Sequence, residues 1–119
     1  MNIRAVIVLA AWLLLAFPAL ADTFTGLVVK VADGDTLTVL DADRTQHKIR
    51  LSGIDAPESG QPYGMVSRHN LGDSVFGKPV TVEYDKRDRY GRIVGKVLVS
   101  GQDANLEQIA AGMAWHHKA

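Results

Sequence analysis

Cysteine is absent from the 119 residues, so no disulfide can staple the fold, which must rest on packing and on any metal it binds. An excess of either charge is also missing: 13 Lys and Arg balance 13 Asp and Glu. That balance argues against a protein that holds polyanions by bulk electrostatics alone, because such proteins are clearly basic. Internal repeats and low-complexity segments are lacking. The longest apolar run, residues 5–17, falls well short of the ~20 residues that cross a bilayer. What remains has globular proportions of apolar, charged and glycine residues, and the length of one domain.

The start of the chain reads as a leader. Arg4 precedes the apolar run, and Ala19-Leu20-Ala21 is a small-x-small cleavage pattern before Asp22. Residues 1–21 are therefore expected to be a signal peptide and residues 22–119 an exported domain, periplasmic or secreted. The competing reading is an uncleaved anchor, for which the run is short.

Residues 24–31 are rich in β-branched and apolar side chains. After the Asp33-Gly34 turn signal, Thr36-Leu37-Thr38-Val39 alternates as a half-buried strand does, and residues 47–51 alternate again. These three strands form a meander. Residues 62–76 are expected to be helical, with Leu71 and Val75 at i, i+4 and with Gly64 and Gly72 as weak points. Residues 79–84, with Val80 and Val82 on one side, and residues 93–99 supply two further strands. Leu106, Ile109, Ala110 and Met113 then fall at helical spacing, with Asp103 as N-cap and Gly112 near the stop. The expected fold is mainly β with helices (α+β). It is a five-stranded barrel of the oligonucleotide/oligosaccharide-binding type, with one helix between strands 3 and 4 and one at the C-terminus.

Charge is balanced overall but unevenly placed. Acids gather early, at Asp33, Asp35, Asp41, Asp43, Asp55 and Glu58, and bases late, at Lys86, Arg87, Arg89 and Arg92. Asp33-Gly34-Asp35-Thr36 puts two carboxylates at one turn, where they can converge on a hard cation that prefers oxygen ligands. Aspartate and glycine are also ordinary turn residues, so this motif alone carries little. The run from Arg50 to Glu58 is less ordinary: an arginine ends a strand, Asp55 follows, and Glu58 lies beyond Pro57, which fixes the backbone. Arginine can hold a phosphate bidentately, Asp55 can join Asp35 at a metal, and Glu58 can take a proton from water. In Asp88-Arg89-Tyr90-Gly91-Arg92, Arg92 can neutralise charge building on phosphate oxygens, and Tyr90 can stack on a base. Taken singly, each of these residues also fits a surface ion pair, a solvated loop acid or a charged turn.

Asp33-Gly34-Asp35-Thr36, residues 49–58 and Tyr90-Gly91-Arg92 together resemble the three signature blocks of the thermonuclease (staphylococcal nuclease-like) family, in order and separation. Asn105-Leu106 and Ala111-Gly112-Met113-Ala114 extend the resemblance over nearly all of residues 22–119. It implies that Asp35, Asp55 and the Ala56 carbonyl bind Ca2+, with Asp33 behind them. It implies that Arg50 and Arg92 hold phosphate, that Glu58 activates or orients water, and that Arg89 and Tyr90 contact substrate. The implied activity is a calcium-dependent nuclease acting as a monomer on DNA and RNA. Single strands would be preferred, sequence specificity would be low, and the products would end in 3'-phosphate.

Two departures bear on this. Ala56 stands where the family often has threonine, which leaves a backbone ligand intact. The sequence also stops at Ala119, where family members commonly continue into a further helix, so it reads as a domain truncated at its C-terminus. His116-His117 is expected to be a solvated tail rather than a metal site. A non-catalytic binding module on the same barrel and an inactive fragment remain as alternatives.

Overall fold

A computed structural model describes residues 21–117. The expected leader lies outside the described residues, apart from Ala21. No helix among the described residues is long and apolar enough to cross a membrane.

The described chain runs β1 (Asp22–Asp33), β2 (Thr36–Leu40), β3 (Gln46–Leu51), β4 (Ile54–Asp55), α1 (Gly64–Val75), β5 (Pro79–Arg87), β6 (Ile93–Val99), β7 (Gln102–Asp103), α2 (Ala104–Ala110) and β8 (Trp115–His116). β1, β2 and β3 form the expected antiparallel meander. β1 also pairs with β5, and β5 with β6, both antiparallel. β3 and β6 then pair in parallel, Ile49 with Ile93 and Leu51 with Gly95, which closes five strands into a barrel. Closure leaves the sheet without unpaired edges along these strands and encloses a core of Val28, Leu37, Val39, Ile49, Leu51, Val80, Val82, Ile93 and Val97.

The helices pack on each other, α1 also against β1 and α2 against β6. α1 buries Leu71 and Val75, as the spacing predicts, together with Gly64 and Ser67. Its start lies two residues inside the expected 62–76 span because Tyr63 turns left-handed at φ 64°. The close approach of Gly64 to the Glu58 carbonyl leaves no room there for a side chain. Asp103 caps α2 as expected, accepting a hydrogen bond from the Leu106 amide at 3.0 Å.

Three expectations fail. Leu106 does not head an inward apolar face: it is 57% exposed, and α2 instead buries Ala104, Asn105 and Gln108. Thr38, expected on the open face of β2, is buried along with Leu37 and Val39. His116 and His117 do not form a loose tail. β8 pairs antiparallel with β4, Ile54 opposite His116 and Asp55 opposite Trp115, and the His117 amide donates to the Gly53 carbonyl at 2.9 Å.

Candidate active site

Closure of the barrel sets the two arginines side by side. In the parallel register Arg50 lies opposite Val94, and Arg92 is two residues before Val94, so the pleat puts all three on the outer face. Ile49 and Ile93, one residue away, point into the core. Arg50 and Arg92 thereby line one cleft of about 350 Å³, together with Ser52, Lys86, Arg87, Asp88 and His117.

The turn between β1 and β2 brings Asp35 against Arg50. Asp35 is almost buried; its Oδ1 accepts from Thr36 Oγ1 at 2.9 Å and its Oδ2 from the Ala56 amide at 2.9 Å. Its backbone carbonyl accepts from the Leu51 amide at 2.8 Å, which ties the turn to β3. Arg50 spans the two acid-bearing turns: one guanidinium nitrogen lies 3.5 Å from Asp35 Oδ2 and also donates to Asp55 Oδ1. The other terminal nitrogen donates to the Leu51 carbonyl at 3.0 Å. Asp35 and Asp55, far apart in sequence, therefore converge on a single cationic group. The second oxygen of Asp55 meets His117 Nδ1 at 2.5 Å.

Asp33 faces away from this pair. Its Oδ1 accepts from the Ser59 amide at 2.9 Å and from Ser59 Oγ at 2.7 Å, fastening the turn to the loop that carries Glu58. That loop is further pinned by Gln61, whose Oε1 accepts from the Glu58 amide at 2.8 Å. The Glu58 residue is exposed, and its side chain makes no hydrogen bond within the described residues. Glu58 is not among the residues lining the cleft between the arginines.

On the far side, Asp88 organises the β5–β6 turn. Its Oδ1 accepts from the Tyr90 and Arg92 amides at 2.9 and 3.0 Å, and its Oδ2 accepts from Arg92 Nε at 2.6 Å. Burial works to raise the Asp88 carboxyl, but these hydrogen bonds and the Arg92 charge outweigh it and hold it below the usual aspartate range. Anchored through Nε, Arg92 keeps its fork of terminal nitrogens for another partner. Tyr90 is exposed, with the Arg89 and Arg92 guanidinium carbons 4.9 and 5.5 Å from its ring centre, so Arg89 and Tyr90 form a cationic, aromatic rim.

Several residues that build the site carried no advance signal. Asp88 reads as a turn residue and Ser59 as a loop residue. His117 falls in the expected tail, and Gln108 and Ser67 fall within the expected helices outside their apolar spacing. A buried amide on a short helix has no periodic signature; only its partners, distant in sequence, show its use.

The donors suit a hard cation, since Asp35 and Asp55 offer carboxylate oxygens at a point already filled by a positive group. Among the described residues no three His, Cys, Asp or Glu side chains converge, so any further ligands would be of another kind, such as backbone or hydroxyl oxygens or water.

Comparison with known proteins agrees with the fold. Residues 48–119 match the family model of the staphylococcal nuclease homologues. An Escherichia coli protein described as an uncharacterized endonuclease is 46% identical over 101 residues, which cover 84% of this chain and 65% of the relative. A Shigella flexneri micrococcal nuclease is 41% identical over 118 residues, 92% of this chain and 67% of its own. A staphylococcal-like nuclease of Arabidopsis thaliana is 43% identical over 72 residues, 60% of this chain and 22% of its own. The chain thus spans about two thirds of the length of its bacterial relatives. The family match covers well over half of the chain, across the barrel-closing strands and both arginines, and the chain belongs to the staphylococcal nuclease homologue family.

Proposed function

We propose that this protein is an exported nuclease that hydrolyses the phosphodiester backbone of DNA and RNA with calcium and with little sequence preference. The observation that carries the reading is the convergence of Asp35 and Asp55 at Arg50, with Arg92 on the same lip of the barrel. Opposite charges at that density suit a phosphate bound together with a cation.

Asp35 and Asp55, with the Ala56 carbonyl, would hold the calcium ion, and Asp33 would brace them through Ser59. When bound, the ion polarises a phosphoryl oxygen. Arg50 lies against both carboxylates, so a cation taking its place there frees its guanidinium for the phosphate. Arg92, tethered to Asp88, presents its terminal nitrogens to the oxygens on which charge develops. Glu58 takes the proton of the attacking water, the P–O5' bond breaks, and the 5' oxygen leaves and is protonated from solvent. Contacts of this kind are to phosphate, which carries no base identity, and hence the low specificity. Arg89 and Tyr90 offer one stacking surface for an unpaired base, which favours single strands.

The test is cleavage of single-stranded DNA by the purified protein in calcium or in chelator, beside Glu58→Gln. Wild type is expected to cut only in calcium, and Glu58→Gln to lose about 10²- to 10⁴-fold in rate. Undiminished cutting in chelator refutes the calcium requirement. Intact DNA with wild type, alongside a folded β-rich circular dichroism spectrum, replaces the nuclease with a binding module.

A further inference from the structure

α2 buries two amide side chains, and one of them grips the acid turn. Gln108 is 1% exposed. Its Nε2 donates to the Gly34 carbonyl at 2.8 Å and to the Ser67 carbonyl at 3.2 Å, and lies 3.3 Å from Ser67 Oγ. Its Oε1 accepts from Asn70 Nδ2 at 2.5 Å. A single side chain thus joins α2, α1 and the peptide between Asp33 and Asp35. Gln108 touches neither the proposed ion nor the arginines. Burying an amide costs stability unless its groups are paired, and here both ends are.

We infer that Gln108 is a positioning residue for the proposed cation site, fixing the Asp33–Gly34–Asp35 turn so that Asp35 meets Asp55. Asp33 is tied to Ser59 and Asp35 to Ala56 and Leu51. The peptide between them is held at the Gly34 carbonyl, and Gln108 supplies that hydrogen bond. Without that hold the peptide can rotate, carrying the Asp35 carboxylate away from Asp55. An apolar residue in its place would pack but could not donate. The inference rests on the proposed role of Asp35 in binding calcium, so one readout is chosen that does not depend on calcium.

The experiment compares Gln108→Met with Asn70→Leu. Gln108→Met removes the donor to Gly34 at similar volume. Asn70→Leu removes the partner of Gln108 Oε1 and leaves the Gly34 hydrogen bond in place. Calcium affinity is measured by calorimetry on the protein without nucleic acid. Amide hydrogen exchange is followed at Leu51 and Ala56, whose N–H groups bind the Asp35 carbonyl and carboxylate. Both variants are expected to lower the melting temperature. Gln108→Met alone is expected to weaken calcium by about 10- to 100-fold, as loss of groups that orient metal ligands does, and to speed exchange at Leu51 and Ala56. Wild-type exchange at these amides in Gln108→Met overturns the inference, as does equal loss of calcium in both variants. If wild type binds no calcium, the functional reading fails, and the exchange rates still decide what Gln108 holds.

Discussion

Gly34 stands between Asp33 and Asp35, and its replacement by alanine tests how tightly the acid turn is packed on α1. An added Cβ would lie 1.8 Å from Ser67 Oγ, 2.9 Å from Ser67 Cβ and 3.0 Å from Ala56 Cβ. Ser67 has little freedom to yield: it is fully buried, and its hydroxyl donates to the Met113 carbonyl at 2.6 Å. Overpacking of this kind costs about 1–3 kcal/mol, and turning the hydroxyl away gives up its hydrogen bond for about 1 kcal/mol more. A loss of roughly 2–4 kcal/mol is a large part of the 5–15 kcal/mol that holds a typical domain together. At roughly 4–8 °C per kcal/mol for a domain of this size, the melting temperature should fall by about 8–32 °C. The diagnostic arm is Ser67→Ala. Alone it sacrifices a hydrogen bond and destabilises by about 1 kcal/mol. In the Gly34→Ala background it removes the 1.8 Å contact and should stabilise, so its sign reverses. Thermal and urea unfolding of the four proteins give the coupling directly. If the two effects add within about 0.5 kcal/mol, the packing account is refuted.

Gly72→Ala probes the opposite situation on the same helix. Nothing lies within 4 Å of an added Cβ at Gly72, so the substitution should raise stability by about 0.5–1 kcal/mol, read as a higher urea midpoint. An unchanged or lower midpoint would refute it. Asp88 gives a pH test. Its folded-state carboxyl titrates below its ordinary value, so it contributes stability above about pH 4 that is lost as the pH falls through the lowered folded value. Between about pH 6 and 3, wild type should therefore lose more stability than Asp88→Asn in urea unfolding. Parallel acid limbs for the two proteins would count against the Asp88–Arg92 contact.

Much of the barrel is legible where a strand has one face in water and one in the core, which β2, with Thr38 buried between Leu37 and Val39, does not. Val80 and Val82 of β5 alternate as read and are buried, and β6 spans residues 93–99 as its composition predicts. α2 is harder to read, since the periodic residues Leu106 and Ala110 are exposed while Asn105 and Gln108 fill the buried face. Polar residues serve there because they meet backbone groups of turns and of β6 that take hydrogen bonds from them or give hydrogen bonds to them. Asn105 Nδ2 donates to the Ser52 and Gly95 carbonyls at 2.9 and 3.1 Å, and its Oδ1 accepts from the Val97 amide at 3.2 Å. Hydropathy cannot register that exchange, because a buried amide and a solvated one look alike in sequence. The same blindness explains β8: two histidines beside a tryptophan look like a tail until the β4 backbone is there to pair with.

The candidate site follows from register more than from any one motif. Parallel pairing of β3 with β6 in this register leaves Ile49 and Ile93 inside and Arg50, Val94 and Arg92 outside. A slip of one residue in either strand would turn an arginine into the barrel and an isoleucine into water, which the core cannot tolerate. The hydrophobic pattern that closes the barrel is therefore also what aligns the two arginines. α2 adds the other axis: Gln108 holds the turn before Asp35 and Asn105 the turn before Asp55, so one helix of seven residues sets where both carboxylates stand relative to the arginines. The acids and bases that sequence places apart are brought together by residues whose own chemistry is only to donate and accept hydrogen bonds. Substitutions at those amides should therefore disturb the site although every charged residue is retained.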